Sequence, residues 1–325
     1  MNVSKYLVTG GAGFIGSHIT SALVERGDQV RVLDNLSTGD EANLAHLEVG
    51  ELGSGAPVEM IHGSVTNAAD VKAACEGVRG VFHEAAQVSV PQSLENPVES
   101  YGINVTGTLM VLDGARRAGV ERFVFAASSA AYGDSVDLPK HEKMTPDPVS
   151  PYGTGKLAAE ELLRVFGRCY GMRTVALRYF NIFGPRQADD SPYTGVIALF
   201  ARALFTGNAV SIYGDGEQTR DFTHVSNVVQ ANLLALEAEV EPGSVFNVGT
   251  GVQVSVNQLY ARMAELLGSD LKPNYQPARQ GDILHSLAAV AKATSKLGYA
   301  PKVSWQDGLV ETVDWYRTRF SKAPA

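Results

Sequence analysis

The stretch YLVTGGAGFIGSH, Tyr6 to His18, constrains this chain more than any other. A short apolar, β-branched run passes through Gly10, Gly13 and Gly16 into IGSHITSALVERG, an amphipathic segment that stops at Gly27. The pattern predicts a strand, a tight turn and a helix. Glycine serves three ends in such a turn: it makes the bend, lets a pyrophosphate approach the backbone, and lets helix and strand pack closely. The first helical turn then offers unpaired N–H groups and the positive end of its dipole to phosphate.

A glycine pattern arises easily by chance in a chain with 33 glycines, so the flanking sequence decides. The next strand, QVRVLDN, ends in Asp34, 18 positions after Gly16. That is close to the ~20 expected for an acid that holds a ribose diol. A carboxylate there repels a 2′-phosphate, so NAD is expected rather than NADP. The plainer alternative is a strand–helix–strand crossover whose Asp34 only caps a loop.

Strands and helices alternate onward. VEMIHGSV, GVFHEAA (Gly80 to Ala86), ERFVFAASSAAYG and RTVALRYFN read as strands. Between them lie NAADVKAACEG with Asn67 as N-cap, one long helix through ENPVESYGINVTGTLMVLDGARRAG to Gly119, and a helix from near Ser150 to Gly171. The polar run NLSTGDEANLAHLEVGELGSGAP reads as a surface loop. The expected fold class is α/β, a doubly wound parallel sheet of Rossmann type with a smaller α/β substrate-binding domain. From Asn181 the character changes, and IFGPRQADDSPYTG belongs to a loop. Helix VIALFARALFTG, strands AVSIYGDG and RDFTHV, helix NVVQANLLALEAE, strand SVFNVGT and a stretch of short helices follow. The expected division is a nucleotide-binding domain over 1–180, with about 220–250 returning to the sheet, and a substrate domain over 181–325.

Charge narrows the partners: 27 basic against 35 acidic residues give −8 with no basic run, so nucleic acid is not expected. Cys75 and Cys169 are too few for a disulfide framework and read as small core residues of helices in a reducing compartment. The first strand begins about five residues after Met1, and no apolar run approaches the ~20 residues that span a bilayer. A cytoplasmic protein is expected, with no membrane partner.

Ligands of doubly wound sheets sit beyond the carboxyl ends of the strands. Ser128 closes one of those strands, and Tyr152 and Lys156 stand four apart in YGTGK, on one helix face. A nearby ammonium favours phenolate, and bringing a tyrosine from about 10 to about 7 takes roughly 4 kcal/mol of preferential stabilisation of the anion. Lys156 and a positive nicotinamide ring are expected to supply it. Taken alone, Tyr-x-x-x-Lys is an ordinary surface pair.

With the glycine turn and the serine, this set resembles the extended short-chain dehydrogenase/reductase family. The resemblance implies that Tyr152 is the acid/base, that Lys156 tunes it and holds the nicotinamide ribose, and that Ser128 relays the substrate proton. It implies cofactor contacts at Gly10, Gly13, Phe14, Ile15 and Gly16, at Asp34 and Asn35, at Ser64 and Val65, at Ala85, Ala86 and Asn104, and at Tyr179 beside Tyr152 and Lys156. YFN (Tyr179 to Asn181), GPRQ, SPYTGVI, GDG with TRDF, NVGTG, and ARQGD with ILHSLA resemble the nucleotide-diphosphate-sugar 4-epimerases, above all those acting on UDP-N-acetylglucosamine or UDP-glucose. That likeness implies a UDP-sugar substrate whose diphosphate meets Asn181, Arg220 and Arg279. Ser89, Ser128, Ser129, Gly195, Val196, Ser211, Tyr213, Asp282 and Ser286 are implied around the rest of it. An arginine fork suits a diphosphate on charge grounds too. A homodimer through the helices near 95–118 and 152–170 is also implied.

Departures sort the siblings. Dehydratases and glucuronate decarboxylases place an acid just before the tyrosine of the YG pair, where this chain has Ala130 and Ala131. Glucuronate 4-epimerases typically carry Thr at the position of Asn181. Ser286 stands where glucose-restricted epimerases place a bulky Tyr, which leaves room for an N-acetyl group, whereas Val88 and Ala130 narrow the acetamido side. Relaxed specificity is expected. Ser64 replaces an Asp often found near adenine. His83, His224 and His285 lack metal spacing, and Trp305, Trp315 and Tyr316 read as packing of the last helix. The alternatives are a UDP-glucuronate 4-epimerase, another nucleotide-sugar-modifying member, or an NAD-binding regulator without catalysis.

Overall fold

The computed structural model describes residues 3–189, 195–278 and 284–322. Its main sheet takes eight strands from the described residues: β1 (Lys5–Thr9), β2 (Gln29–Asp34), β3 (Val49–Glu51), β4 (Val58–His62), β5 (Gly80–His83), β6 (Arg122–Ser128), β7 (Arg173–Tyr179) and β8 (Ser244–Val248). They lie in the order β8-β7-β6-β5-β1-β2-β4-β3, all parallel. From β1 the chain first builds outward through β2, and from β5 it builds the other way. The topological switch point therefore falls between β1 and β5, where a crevice opens beyond the strand ends.

The strands read as nearly continuous apolar runs because both faces are covered. Tyr6, Val8, Phe82 and Val124 point to one face, under the helices Phe14–Glu25 and Val225–Glu237. Leu7, Val81, Phe123 and Phe125 point to the other, against Ala68–Cys75, Thr108–Arg117 and Pro151–Tyr170. A separate apolar cluster gathers the helices Val196–Phe205, Val256–Leu267 and Trp305–Lys322 around Phe200, Leu259, Met263, Leu309 and Tyr316. Trp305 and Trp315 pack at its edge. Among the described residues no helix is long and apolar enough to cross a membrane.

Several local expectations need correction. The long helix before Gly119 runs without a break from Pro97 to Arg117, but with a π-helical insert, Gly102–Gly107, between the α-helices Pro97–Tyr101 and Thr108–Arg117; a separate short helix, Val90–Glu95, precedes it. Pro97 opens the long helix and Asn104 lies in the insert, where its side chain turns to the loop after β5. The polar run after Asp34 contains the edge strand β3. Cys75 is buried, but Cys169 is exposed near the end of its helix. The helix Val256–Leu267 is more than a short final helix, and its start was legible in SVNQ: Ser255 Oγ accepts from Gln258 N at 3.1 Å while Ser255 N donates to Gln258 Oε1 at 2.9 Å. Asn67 caps its helix as expected, accepting from Ala69 N at 2.9 Å.

Candidate active site

The glycine turn lies at the switch point. Gly10 has φ +67, and a Cβ there would lie 2.8 Å from Ala85 N, so the ends of β1 and β5 approach each other only because the residue is glycine. A Cβ on Gly16 would overlap the Gly10 carbonyl, which brings the helix Phe14–Glu25 down onto the turn. Gly13 is the N-cap of that helix, and no side chain caps it. The first-turn N–H groups of Phe14 and Ile15 thus face the crevice with the dipole behind them, a cradle that fits a pyrophosphate. Asp34 ends β2 beside it, accepting from Ala12 N at 3.0 Å and Leu36 N at 2.9 Å. Two of its lone-pair sites are occupied, and the others suit a ribose diol.

Further cofactor candidates line the strand ends. Asn35 is exposed and accepts from Ser37 N. Ser64 N donates to Asp70 Oδ2 at 2.9 Å, so Asp70 supplies a carboxylate near the position where Ser64 lacks one. Val65 is a core side chain, 6% exposed, and leaves only its backbone for a ligand. Ala85 N reaches Thr9 Oγ1 at 3.3 Å. Asn104 fixes the Ala86–Gln87 turn by accepting from Gln87 N and donating to Gln87 O, both at 2.9 Å. Bulges of the π type recur at functional sites, and this one aims Asn104 at that turn.

The three catalytic candidates converge on the same crevice. Ser128 ends β6, its Oγ accepts from Ala130 N at 3.1 Å, and its hydroxyl lies close enough to the Tyr152 phenol to pull that group's pKa down. Ser150 caps the helix Pro151–Tyr170 by accepting from Gly153 N at 3.1 Å, and Tyr152 N donates to Ser93 Oγ at 3.2 Å. Lys156 follows one turn on, buried, and its Nζ donates to Ala126 O at 2.8 Å over the ring of Phe125. The charge balance differs from expectation. Burial raises the Tyr152 phenol above its ordinary value, and the opposing pull comes from the Ser128 hydrogen bond. Lys156 is lowered to about 8, first by burial, with Glu84 and Glu160 pulling the other way.

Glu84 is the residue that sequence reasoning passed over. It follows β5 at the switch point, accepts from the Tyr179 hydroxyl at 2.9 Å, and is pushed up to about 7 by burial, against the Tyr179 bond and the Lys156 charge. The signal was present: a single carboxylate closing the apolar strand GVFHEAA. Tyr179 in turn accepts from Asn232 Nδ2 at 2.8 Å, and burial sets its phenol well above the ordinary value. His83 has the structural role expected of it, bridging Thr9 Oγ1 at 2.7 Å and Thr108 Oγ1 at 3.0 Å. Burial and the Lys156 charge hold it down to about 3.

Most of the substrate candidates lie in segments that follow β7. Asn181 is exposed, and its carbonyl accepts from Thr223 N at 3.0 Å. Arg220 lies in a two-residue strand paired with Val254–Ser255, and its guanidinium donates to Thr219 O at 2.9 Å and Leu284 O at 3.2 Å. Ser286 N donates to Thr219 O at 3.1 Å, so the structure brings Arg220 and Ser286 together. Gly195 is the uncapped N-cap of the helix that begins at Val196. Ser211 and Tyr213 bound a short strand parallel to Asn274–Gln276. Ser89 Oγ caps Val90–Glu95 by accepting from Gln92 N at 3.1 Å, and Ser129 opens the 3₁₀ turn to Tyr132. Arg279 and Asp282 lie outside the described residues. His224 is buried against Ser226, and His285 Nδ1 lies 2.9 Å from Thr219 Oγ1. No metal-holding cluster occurs among the described residues.

Comparison with known proteins matches this geometry. The model of the NAD dependent epimerase/dehydratase family matches residues 6–249. A putative UDP-glucose 4-epimerase of Methanocaldococcus jannaschii is 37% identical over 96% of this chain and 98% of its own length. The crystal structure of a UDP-glucose 4-epimerase with UDP-glucose, from Thermotoga maritima, has a TM-score of 0.90 at 39% identity, covering 97% of this chain and 99% of that one. A UDP-N-acetylglucosamine 4-epimerase from Methanobrevibacter ruminantium, in complex with UDP-N-acetylmuramic acid, has a TM-score of 0.91 at 36% identity, covering 98% and 100%.

Proposed function

This chain belongs to the NAD-dependent epimerase/dehydratase family, and from that premise we propose that it inverts C4 of UDP-hexoses, accepting both UDP-N-acetylglucosamine and UDP-glucose. One observation carries the reading: the Ser128 hydroxyl acts on the Tyr152 phenol, with Lys156 one turn behind, at strand ends on the same edge of the sheet as the glycine turn. A protein that only sensed NAD would have no use for that base.

In this reading residues 1–180, with the returning segment near 220–250, hold NAD, and residues 181–325 hold the UDP-sugar. NAD, when bound, supplies a hydride acceptor for C4 that can return the hydride to the opposite face, so no net redox change results. The protein's part is proton handling and orientation. Ser128 spans the sugar 4-hydroxyl and Tyr152, which takes the proton as phenolate and gives it back. Lys156, held on Ala126 O one turn behind the phenol, is assigned to hold the nicotinamide ribose. Arg220, with Asn181 and Arg279, holds the diphosphate while the 4-keto sugar turns about its link. Ala130 and Ala131 offer no acid for dehydration. Ser286 leaves room for an acetamido group, which favours the permissive specificity.

The helices that form the proposed homodimer contact expose apolar side chains, Val98 at 85% and Leu109 at 40% among them. The deciding experiment incubates the purified protein with UDP-GlcNAc, UDP-Glc and UDP-glucuronate separately, without added NAD, and separates the products. Conversion of the first two to their 4-epimers is expected. Turnover of UDP-glucuronate alone would replace this reading with the glucuronate epimerase, and no turnover of any of them, even with NAD added, would favour the regulator.

A further inference from the structure

Two motifs, SSAAYG and NVGTG, contribute a tyrosine and an asparagine that take no part in the site just described. We propose that Tyr132 and Asn247 form a buried clasp that positions the segment 284–289, which carries Ser286, against the helix that carries Tyr152; the role in turnover rests on the epimerase reading above.

Asn247, on β8, is fully buried and its polar groups are all spoken for. Its N–H donates to Glu142 Oε1 at 2.8 Å, and its Nδ2 donates to Lys140 O at 2.8 Å and Ala289 O at 3.3 Å. Its Oδ1 accepts from the Tyr132 hydroxyl at 2.7 Å. The two carbonyls can only accept, so the side-chain amide has one permitted orientation. An apolar residue of the same size would fill the space but take a donor away from each of those carbonyls.

The clasp joins three segments that are distant in sequence. Lys140 lies in the loop 133–150, which leads from Tyr132 to the cap of the Tyr152 helix. Its N–H donates to Leu287 O and its carbonyl accepts from Ala289 N, both at 2.8 Å. On the far side of the same segment, Ser286 N donates to Thr219 O and Ala288 N donates to Asp221 Oδ2, both at 3.1 Å. Ser286 is therefore held between two anchors, one on the Arg220 strand and one on the loop 133–150. Tyr132 extends the connection back to the helix. Its ring stacks on the Arg178 guanidinium at 4.5 Å, and Arg178 makes a buried fork to Glu160 at 2.9 and 2.7 Å, one turn beyond Lys156. The Asn247 side chain is fully satisfied, and bonding of that kind specifies one arrangement where apolar contact would tolerate several, whereas Arg178 Nη1 makes only the ring contact with Tyr132.

The test uses Tyr132→Phe, which keeps the ring over Arg178 and removes one hydrogen bond, and Asn247→Ser, which removes the bridge. Hydrogen exchange is read at the amides of Ser286, Ala288 and Ala289, with Leu7 in β1 as the internal control, and KM and kcat are read for UDP-Glc and UDP-GlcNAc. The expected result for Tyr132→Phe is about fivefold faster exchange at the three amides, the worth of one buried hydrogen bond, with Leu7 unchanged. KM should rise by about the same factor with kcat within about twofold, since the acid/base group stays in place. Exchange that rises equally at Leu7, or wild-type exchange and KM, overturns the clasp. If Asn247→Ser does not fold, Tyr132→Phe alone decides. If the wild-type protein epimerises no UDP-hexose, the functional reading fails, while exchange and UDP affinity still decide the clasp.

Discussion

The half of the site assigned here to NAD and the half assigned to the sugar are made in different ways. The first hangs from the ends of one parallel sheet: Gly10 after β1, Asp34 at β2, Glu84 after β5, Ser128 at β6 and Tyr179 at β7 each close a buried strand. The second is stitched from strands of two or three residues, such as Thr219–Arg220, Val254–Ser255 and Ser211–Tyr213, and from bonds like that of Ser286 to Thr219. A sheet places its strand ends by backbone geometry that repeats. Stitched segments depend on single hydrogen bonds between residues far apart in the chain. The first half should therefore set whether the reaction occurs, and the second which sugar undergoes it.

The sharpest break of that comparison is Tyr152→Phe. The ring remains, Ser128 loses its partner, and neither the glycine turn nor Arg220 is touched. Turnover should fall by about 10²–10⁴ for every accepted sugar alike, the usual worth of a positioned acid/base. Copurified NAD and UDP affinity should stay at wild-type levels, measured by absorbance after acid release and by calorimetry. A loss confined to one sugar would mean that this residue belongs to selectivity and that the two halves are not separate in role.

The converse change is Ser286→Tyr. A phenol ring in place of the small hydroxyl takes up the volume an acetamido group needs. The ratio of kcat/KM for UDP-GlcNAc to that for UDP-Glc should drop by roughly tenfold or more, within the range for steric exclusion from a pocket. NAD content and UDP-Glc turnover should hold. Equal loss on both sugars would show that the segment 284–289 supports the reaction itself.

The same contrast explains what could be read in the sequence. Glycine spacing, Asp34 and the i, i+4 relation of Tyr152 and Lys156 are short-range signals, and the structure puts Gly10 after β1, Asp34 at the end of β2 and Lys156 near Glu84 after β5. Residues such as Arg220 and Ser286 were reachable only through resemblance, because no local rule places Thr219 beside Leu284. The long helix before Gly119 forms from Pro97 to Arg117, but apolar spacing cannot reveal its π insert, from which Asn104 bonds to Gln87. Lys156 was expected to turn its ammonium to the phenol, and instead it donates to Ala126 O while burial raises Tyr152. Desolvation is a property of the assembled site, and composition does not carry it.

Glu84→Gln sharpens the comparison most finely, because it changes one charge in the first half while keeping the shape. Glu84 titrates at about 7 against an ordinary 4.5, so the folded protein holds this proton where the unfolded chain has lost it. Its contribution to stability is full below about pH 4.5 and is lost as pH rises to about 7, amounting to no more than about 3 kcal/mol. Thermal melts of the wild type should therefore fall between pH 5 and pH 7.5 by more than those of Glu84→Gln. The carboxylate also supports the Lys156 ammonium, which is present below about pH 8 and lost above it. Without Glu84 the lysine gives up its proton at lower pH, and the alkaline limb of kcat moves down while the Tyr179 hydroxyl keeps an acceptor in the amide oxygen. Parallel melting curves together with superimposable pH profiles would mean that water in the crevice screens Glu84 from both, and that the strand ends position groups without coupling their charges.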